Sequence, residues 1–348
     1  MTKTATHHTE TRLPHLAFAP LRAILLAEAK EHGLTATDTA ADGLRIVTCY
    51  GDYVFRTNAT GLHARIEAPR ADWLFALKDG LTERITELSP DTGRDMRWSG
   101  GDEAGVRPPN FQLIEIREIA PLGRDFLRIT ATSEDLTRFG TDAIHFRLIL
   151  PPEGLETPEW PSIAPNGATV WPSGHKALHR PVYTLRHVDP AAGTFTFDLF
   201  RHEGGRATEW AGKVRPGTVV GLTGPGGGGL VETSAITLYA DETGFPAVAR
   251  IVESLPQNAT GIAVLSAGAG ADCGYPMPTH PGIEIHWTPG RIDLAARAIA
   301  ERKDHPNHFL WFAGEQRQAR TLRDWCRSTD LDVRAHSIAA YWTDRRDA

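Results

Sequence analysis

The chain has 348 residues and little thiol chemistry: its three cysteines, Cys49, Cys273 and Cys326, stand far apart and form no CxxC pair. That excludes a disulfide framework and a four-thiolate iron–sulfur cluster within one chain. Any internal redox group would have to be organic, and each cysteine reads as a small buried hydrophobe. Basic charge is also in deficit. With 37 Lys and Arg against 43 Asp and Glu, the net charge is −6, so no overall basic field attracts nucleic acid. No apolar run approaches membrane-spanning length, and the opening MTKTATHHTETR lacks the hydrophobic stretch of a signal peptide. The expectation is a cytoplasmic protein with no transmembrane segment. His7, His8 and His63 show no metal-ligand spacing and read as a solvated terminus and a strand histidine.

At this length two or three domains are expected. In the first hundred residues, Leu21, Ile24 and Leu25 share one face of a helix that ends near Gly33. LRIVTCY, DYVFRT and GLHARIEA follow as strands, with a turn at Gly51-Asp52. A second helix starting near Arg70 carries Leu74, Leu77, Leu81, Ile85 and Leu88 at helical spacing. Residues 1–95 therefore read as a small α+β domain, and the Gly/Pro/acid stretch from Ser89 to Asn110 as a linker, with 96–111 between domains.

The most informative segments are RPVYT, from Arg180, and HEGGRATEW, from His202. Pro181 disfavours helix and the residues after it favour strand, so Arg180, Val182 and Thr184 share one strand face and Tyr183 takes the other. An Arg can fork a phosphate, an aromatic hydroxyl can stack on a flat ring, and a Thr can hydrogen-bond its edge. Thr194 begins the strictly alternating TFTFDLF, a half-buried strand with Phe195, Phe197 and Leu199 inward. Beyond it, Gly204 and Gly205 open a short helix from Ala207 to Lys213, whose first N–H groups would face a pyrophosphate. Together the two segments read as a flavin dinucleotide site. Residues 112–226 hold about six strand candidates and one small helix, the pattern of a closed antiparallel barrel. Pro151 to His179 is a long Pro- and Gly-rich insertion within it.

From Ile236 to Tyr341 the pattern changes to βαβ. ITLYA, GIAVL, IEIHW, HFLWFAG and a final strand alternate with helices over Pro246–Leu255, Asp293–Lys303 and Gln316–Ser328. This predicts a parallel sheet with helices on both faces and ligands at the carboxyl ends of its strands. The first such end, Asp241-Glu242-Thr243-Gly244, departs from a GxGxxG phosphate loop, and its two carboxylates oppose a pyrophosphate. Gly268-Ala269-Gly270 reads as a flexible turn. At Ala313-Gly314-Glu315, Gly314 permits close backbone approach, and Glu315 is equally explained as a helix-start acid.

The ordered signatures IREIAPLGRDFLRITATSEDL, IHFRLILP, VWPSG, RPVYT, HEGGRATEWA, the GP turn at Gly224, ADETGFPAV, FLWFAGE and the late AYW resemble the siderophore-interacting protein family. These are flavin-dependent ferric-siderophore reductases of the ferredoxin-reductase superfamily. The resemblance covers roughly residues 112 to 343; the first domain resembles a small domain of unknown function fused to such reductases. It implies a multidomain, ferredoxin-reductase-like fold: the α+β domain, an antiparallel FAD-binding barrel over 112–232, and a nicotinamide-nucleotide-binding-like α/β domain with a parallel sheet over 233–348. FAD would lie on Arg180, Val182, Tyr183 and Thr184, with His202, Gly205, Ala207 and Thr208 at its phosphates. Thr243, Gly244, Gly314 and Glu315 would serve the nucleotide, and the VWPSG loop would lie beside the flavin and substrate.

The implied activity is transfer of electrons from NADPH or NADH through FAD to the iron of a ferric siderophore, the release of Fe(II) following from its weaker hold on hard oxygen donors. The family places basic side chains over the flavin. Here only Arg147 matches; Gly226 replaces one basic residue and Ser337 another, with His336 beside it as a partial substitute. A less anionic chelate, hydroxamate or mixed-ligand, is therefore expected. A monomer is the expected state. A non-enzymatic FAD or siderophore-binding protein, a general flavin reductase and a ferredoxin-fed enzyme are the alternatives.

Overall fold

A computed structural model describes residues 6–344 apart from 40–42, 102, 141–142, 156 and 330. The chain forms two compact units, Met1–Gln112 with Leu150–His179, and Leu113–Ile149 with Arg180–Ala348.

The first unit contains β1 (His7–Leu13), α1 (Phe18–His32), β2 (Thr35–Asp38), β3 (Gly43–Val47), β4 (Asp52–Asn58), β5 (Gly61–Ala68), α2 (Ala71–Leu88) and α3 (Pro90–Asp95). Its antiparallel sheet runs β1-β5-β4-β3-β2. The expected helix ends where predicted, at Gly33, whose φ of 67° is the left-handed cap that glycine adopts without steric cost. The opening residues form an edge strand in which His7 and His8 stay exposed while Thr9, Thr11 and Leu13 alternate inward, and β1 pairs with β5 from His7↔Ala68 to Leu13↔Leu62. The stretch read as a linker starts as α3 and then buries Met96 and Trp98, the latter donating its Nε1–H to Thr82 Oγ1 at 2.9 Å. Turn-forming neighbours mask these two core side chains in the sequence.

Three strands follow, β6 (Phe111–Leu122), β7 (Phe126–Thr132) and β8 (His145–Ile149). The chain then returns to the first unit through Leu150–His179, which holds a short hairpin of β9 (Ser162–Ile163) and β10 (Thr169–Val170). Its polar backbone finds its partners there. Asn166 Nδ2 donates to the Gly93 carbonyl at 2.7 Å, the Thr169 N–H to Asp79 Oδ1 at 2.6 Å, and Ile163 exchanges hydrogen bonds with Gly105 and Val106. The insertion expected beside the flavin thus packs as part of the first unit.

The barrel resumes with β11 (Val182–Asp189), β12 (Thr194–Phe200), α4 (Arg206–Lys213) and β13 (Val219–Gly226). It closes in the order β11-β12-β7-β6-β13-β8. Phe195, Phe197 and Leu199 point inward as their alternation predicts, and Phe146 meets Phe197 edge-on at 5.2 Å.

The remainder of the second unit is β14 (Ala235–Asp241), α5 (Phe245–Ser254), β15 (Thr260–Ala267), β16 (Ile283–Pro289), α6 (Leu294–Glu301), β17 (Phe309–Glu315), α7 (Gln316–Ser328) and β18 (Ser337–Trp342). The strands form a parallel sheet ordered β16-β15-β14-β17-β18. Val248, Ile251 and Val252 of α5 pack on one face; Leu294, Ala298, Ala319 and Leu322 of α6 and α7 pack on the other. This is the expected multidomain architecture.

Ion pairs, each with one buried partner, fasten barrel to sheet. Arg186, 5% exposed, makes two hydrogen bonds of 2.6 Å to Glu253 on α5, and Arg250 on the same helix donates to the Leu185 carbonyl at 2.7 Å. Asp198 on β12 receives a bidentate pair from Arg128, at 2.7 and 2.8 Å, and the Tyr275 hydroxyl at 2.7 Å. Removing one member of a buried set strands the others without compensation. Asp198→Ala should therefore lower unfolding free energy by about 3–5 kcal/mol, read by urea denaturation; a change within the range of a surface pair would refute this.

Candidate active site

The strand after Pro181 is placed by its pairing with β8: Val182↔Arg147, Tyr183↔Phe146 and Thr184↔His145. Directly paired residues share a face, so Val182 with Arg147 and Thr184 with His145 line the outer side, while Tyr183 turns towards Phe146 and Phe197 at 6.3 and 5.3 Å. Val182 is half exposed and Thr184 is buried. Arg147 is exposed, with Nη1 3.5 Å from the Arg180 carbonyl. Partial desolvation and then the charge of Arg180 hold the Arg147 guanidinium below its ordinary value. Two like charges side by side favour an anion between or above them.

The second expected element converges as well. Gly204 has φ 71°, and Gly205 begins α4 without any side-chain cap, leaving first-turn N–H groups directed outward. A Cβ on Gly205 would lie 2.7 Å from His202 Cε1, 2.8 Å from Nε2 and 3.0 Å from Thr208 Oγ1. The His202 N–H donates to that same Thr208 oxygen at 3.3 Å, and Ala207 packs inward. His202, Gly205, Ala207 and Thr208 thus form one tight turn over a helix start. A glycine turn that a Cβ would crowd, at a positive helix end, has the chemistry to take a dinucleotide pyrophosphate.

At the carboxyl ends of the parallel sheet lies a cavity of about 380 Å³ lined by Asp241, Ser266, Arg291, Glu315, Arg317 and Trp342, among others. These residues sit at or just beyond the ends of five different elements, where such sheets bind ligands. Of the expected nucleotide residues only Glu315 lines it, and Glu315 Oε2 also caps α7, accepting from the N–H groups of Arg317 at 2.6 Å and Gln318 at 3.3 Å. Thr243 is committed to Asp241 Oδ1, through its N–H at 3.0 Å and its hydroxyl at 2.5 Å. Gly244 is buried against the sheet, a Cβ there lying 2.9 Å from Ala240 Cβ and 3.1 Å from Ala313 Cβ; one on Gly314 would lie 3.3 Å from Asp241 Oδ2. Both acids of the first strand end are engaged, since Trp342 Nε1 donates to Asp241 Oδ2 at 2.6 Å and the Gly268 N–H to Glu242 Oε1 at 2.9 Å. Burial still raises the Asp241 carboxyl above its ordinary value. Arg291 lies 5.3 Å from the Trp342 ring centre. Ser266, Arg291 and Trp342 escape sequence reasoning because they converge only through the strand order.

His336 is not brought to Arg147. It precedes β18 at the amino ends of the strands, its Nδ1 accepts the Leu310 N–H at 3.1 Å, and burial lowers its basicity. The histidine beside the expected flavin strand is His145, opposite Thr184 on one side and Gly226 on the other. Its Nε2 is 2.7 Å from the Tyr341 hydroxyl, and burial pushes it down to about 4. Among the described residues no group of three or more His, Cys, Asp or Glu could hold a metal ion, and no helix is long and apolar enough to cross a membrane.

A closed barrel bearing an anion cradle, joined to a parallel sheet with a cavity at its carboxyl ends, defines a flavin-dependent oxidoreductase architecture. Residues 115–229 match the model of the siderophore-interacting FAD-binding domain, and residues 233–345 that of the siderophore-interacting protein. The chain belongs to the siderophore-interacting protein family. It is 28% identical over 244 residues to an NADPH-dependent ferric-chelate reductase of Escherichia coli, covering 67% of this chain and 92% of that protein. A ferric vibriobactin reductase of Vibrio cholerae is 32% identical over 149 residues, 41% of this chain and 54% of that one. The crystal structure of a siderophore utilization protein from T. fusca superposes with a TM-score of 0.59 at 26% identity, covering 70% of this chain and 96% of that chain.

Gly205→Ala should weaken flavin retention, measured as lost visible absorbance after gel filtration, because the added Cβ, 2.7 Å from His202 Cε1, would push that exposed imidazole out of the turn; full retention would show that the turn holds no phosphate. The lowered His145 also sets an acid limit. Its folded value, about 4, lies below the ordinary 6.5, so the unfolded chain binds more protons in between, and stability is full above about pH 6.5 and falls as pH drops towards 4. Urea titrations across that window should show the loss, and His145→Gln should flatten it.

Proposed function

We propose that this protein is an FAD-dependent ferric-siderophore reductase that passes electrons from NADPH to the Fe(III) of a bound chelate and releases Fe(II) for iron acquisition. The observation that carries this reading is that strand 180–184 and the glycine cradle at Gly205 share one unit with a cavity at the carboxyl ends of a parallel sheet. FAD, when bound, accepts a hydride and returns single electrons, which couples a two-electron donor to a one-electron acceptor. Arg180, Val182, Tyr183 and Thr184 would hold its length, with His202, Gly205, Ala207 and Thr208 at its phosphates. The nucleotide would enter the cavity at Glu315, with Thr243, Gly244 and Gly314 shaping the loops behind it. Arg147 would draw the anionic chelate to the outer face of β8. With Gly226 and Ser337 where basic residues would stand, and His336 turned to the sheet, one arginine suits a hydroxamate or mixed-ligand chelate better than a catecholate.

We further divide the chain, on this reading, into an α+β domain over 1–95, a linker over 96–111, an FAD-binding barrel over 112–232 and a nucleotide-binding domain over 233–348, acting as a cytoplasmic monomer. The purified protein should be yellow. NADPH should bleach it without air, and a ferric chelate should restore the colour while a ferrous trap registers Fe(II). No bleaching by NADPH or NADH would reject direct use of a pyridine nucleotide.

A further inference from the structure

The end of β18 carries two adjacent aromatic residues that reach two different sites. β17 and β18 pair in step from Trp311↔Ser337 to Gly314↔Ala340, after which Glu315 lies opposite Trp342. Tyr341 is thus an extra residue, a bulge, which is rare between parallel strands and re-aims the side chains around it. Its ring meets His145 edge-on at 90°, and the two share a hydrogen bond of 2.7 Å. Trp342 reaches into the cavity and donates to Asp241, which in turn holds Thr243. At the other end His145 is the cross-strand neighbour of Thr184. A continuous run of contacts therefore joins the flavin strand to the nucleotide cavity.

We propose that Tyr341 is a positioning residue for electron transfer from nucleotide to flavin: its bond to His145 holds the Asp241–Trp342 edge of the cavity in register with the Thr184 edge of the flavin strand. The proposal rests on the reductase reading above. Room for it is specific. A Cβ on Gly227 would lie 2.5 Å from His145 Nδ1, so the glycine lets the imidazole keep its place. Burial keeps the imidazole uncharged and raises the Tyr341 hydroxyl above its ordinary value, so the bond joins two neutral groups at neutral pH.

Donor and acceptor must meet within a few tenths of an ångström, and misplacement by about 1 Å costs up to ~100-fold in rate. Tyr341→Phe keeps the ring and removes the bond. It should slow anaerobic bleaching at saturating NADPH by about tenfold, while the NADP+ dissociation constant, read from the shift of the flavin spectrum, stays within about twofold. His145→Gln should show the same split, and the double variant should lose no more than either single one. Urea melts on all three check the fold, and His145→Gln provides the same test should Tyr341→Phe fail to retain flavin. Bleaching at the wild-type rate, losses that multiply in the double variant, or a rate loss matched by an equal loss of affinity would each overturn the positioning role alone. A wild-type protein bleached by no nucleotide would overturn the reductase reading, and this inference with it.

Discussion

Whatever the two halves of the candidate site do together depends on α5 being held to the edge of the barrel. The Arg186–Glu253 pair does this with two short hydrogen bonds, one partner on β11 and the other on the helix that begins just after Asp241-Glu242-Thr243-Gly244. Arg250, one turn earlier on that helix, binds the backbone of Leu185 beside it. Both contacts leave β11 just after Thr184, so the strand that presents the candidate flavin residues is itself the anchor. Buried ion pairs are often no more stabilising than apolar packing. What they supply is direction, because a bidentate guanidinium fixes angle as well as distance. Phe126 stacks on Phe245 and meets Tyr275 at a tilt in the same core.

Charge shapes the chemistry by its scarcity. Arg147 and Arg180 stand together on the outer strand face, and the turn opposite His145 is glycine where a basic side chain would add to them. The acids at the head of the parallel sheet are engaged by Thr243, Trp342 and Gly268, which reduces the repulsion that two adjacent carboxylates would exert on a dinucleotide. The sequence displays the acids but not their partners, the nearest of which is two residues away and the farthest about a hundred.

Local periodicity made much of this legible. The alternation of Phe195, Phe197 and Leu199 gave a barrel strand, the leucines after Arg70 gave a helix, and the βαβ pattern gave the parallel sheet with its helices in place. The cradle at His202 to Thr208 was legible because it is one contiguous turn. Features built from distant segments were not: β1 looks polar because only every second residue faces the core, and Trp98 hides among turn-forming neighbours. The cavity residues Ser266, Arg291 and Trp342 come together only through strand order. His336 misled because adjacency to Ser337 in the chain says nothing about which end of the sheet it occupies.

The excursion Leu150–His179 has an architectural consequence. Because it leaves the barrel after β8 and rejoins it before β11, the chain passes between the two units three times, at Gln112, Leu150 and His179. The first unit is therefore sewn in rather than appended. Cutting the chain after Gln112 would not release a free-standing reductase; it would leave a thirty-residue loop stripped of the Asp79, Gly93 and Val106 groups that satisfy its backbone, between the two strands that carry Arg147 and Thr184. Evolutionary gain or loss of such a domain would require the loop to change with it, so the two should be inherited together.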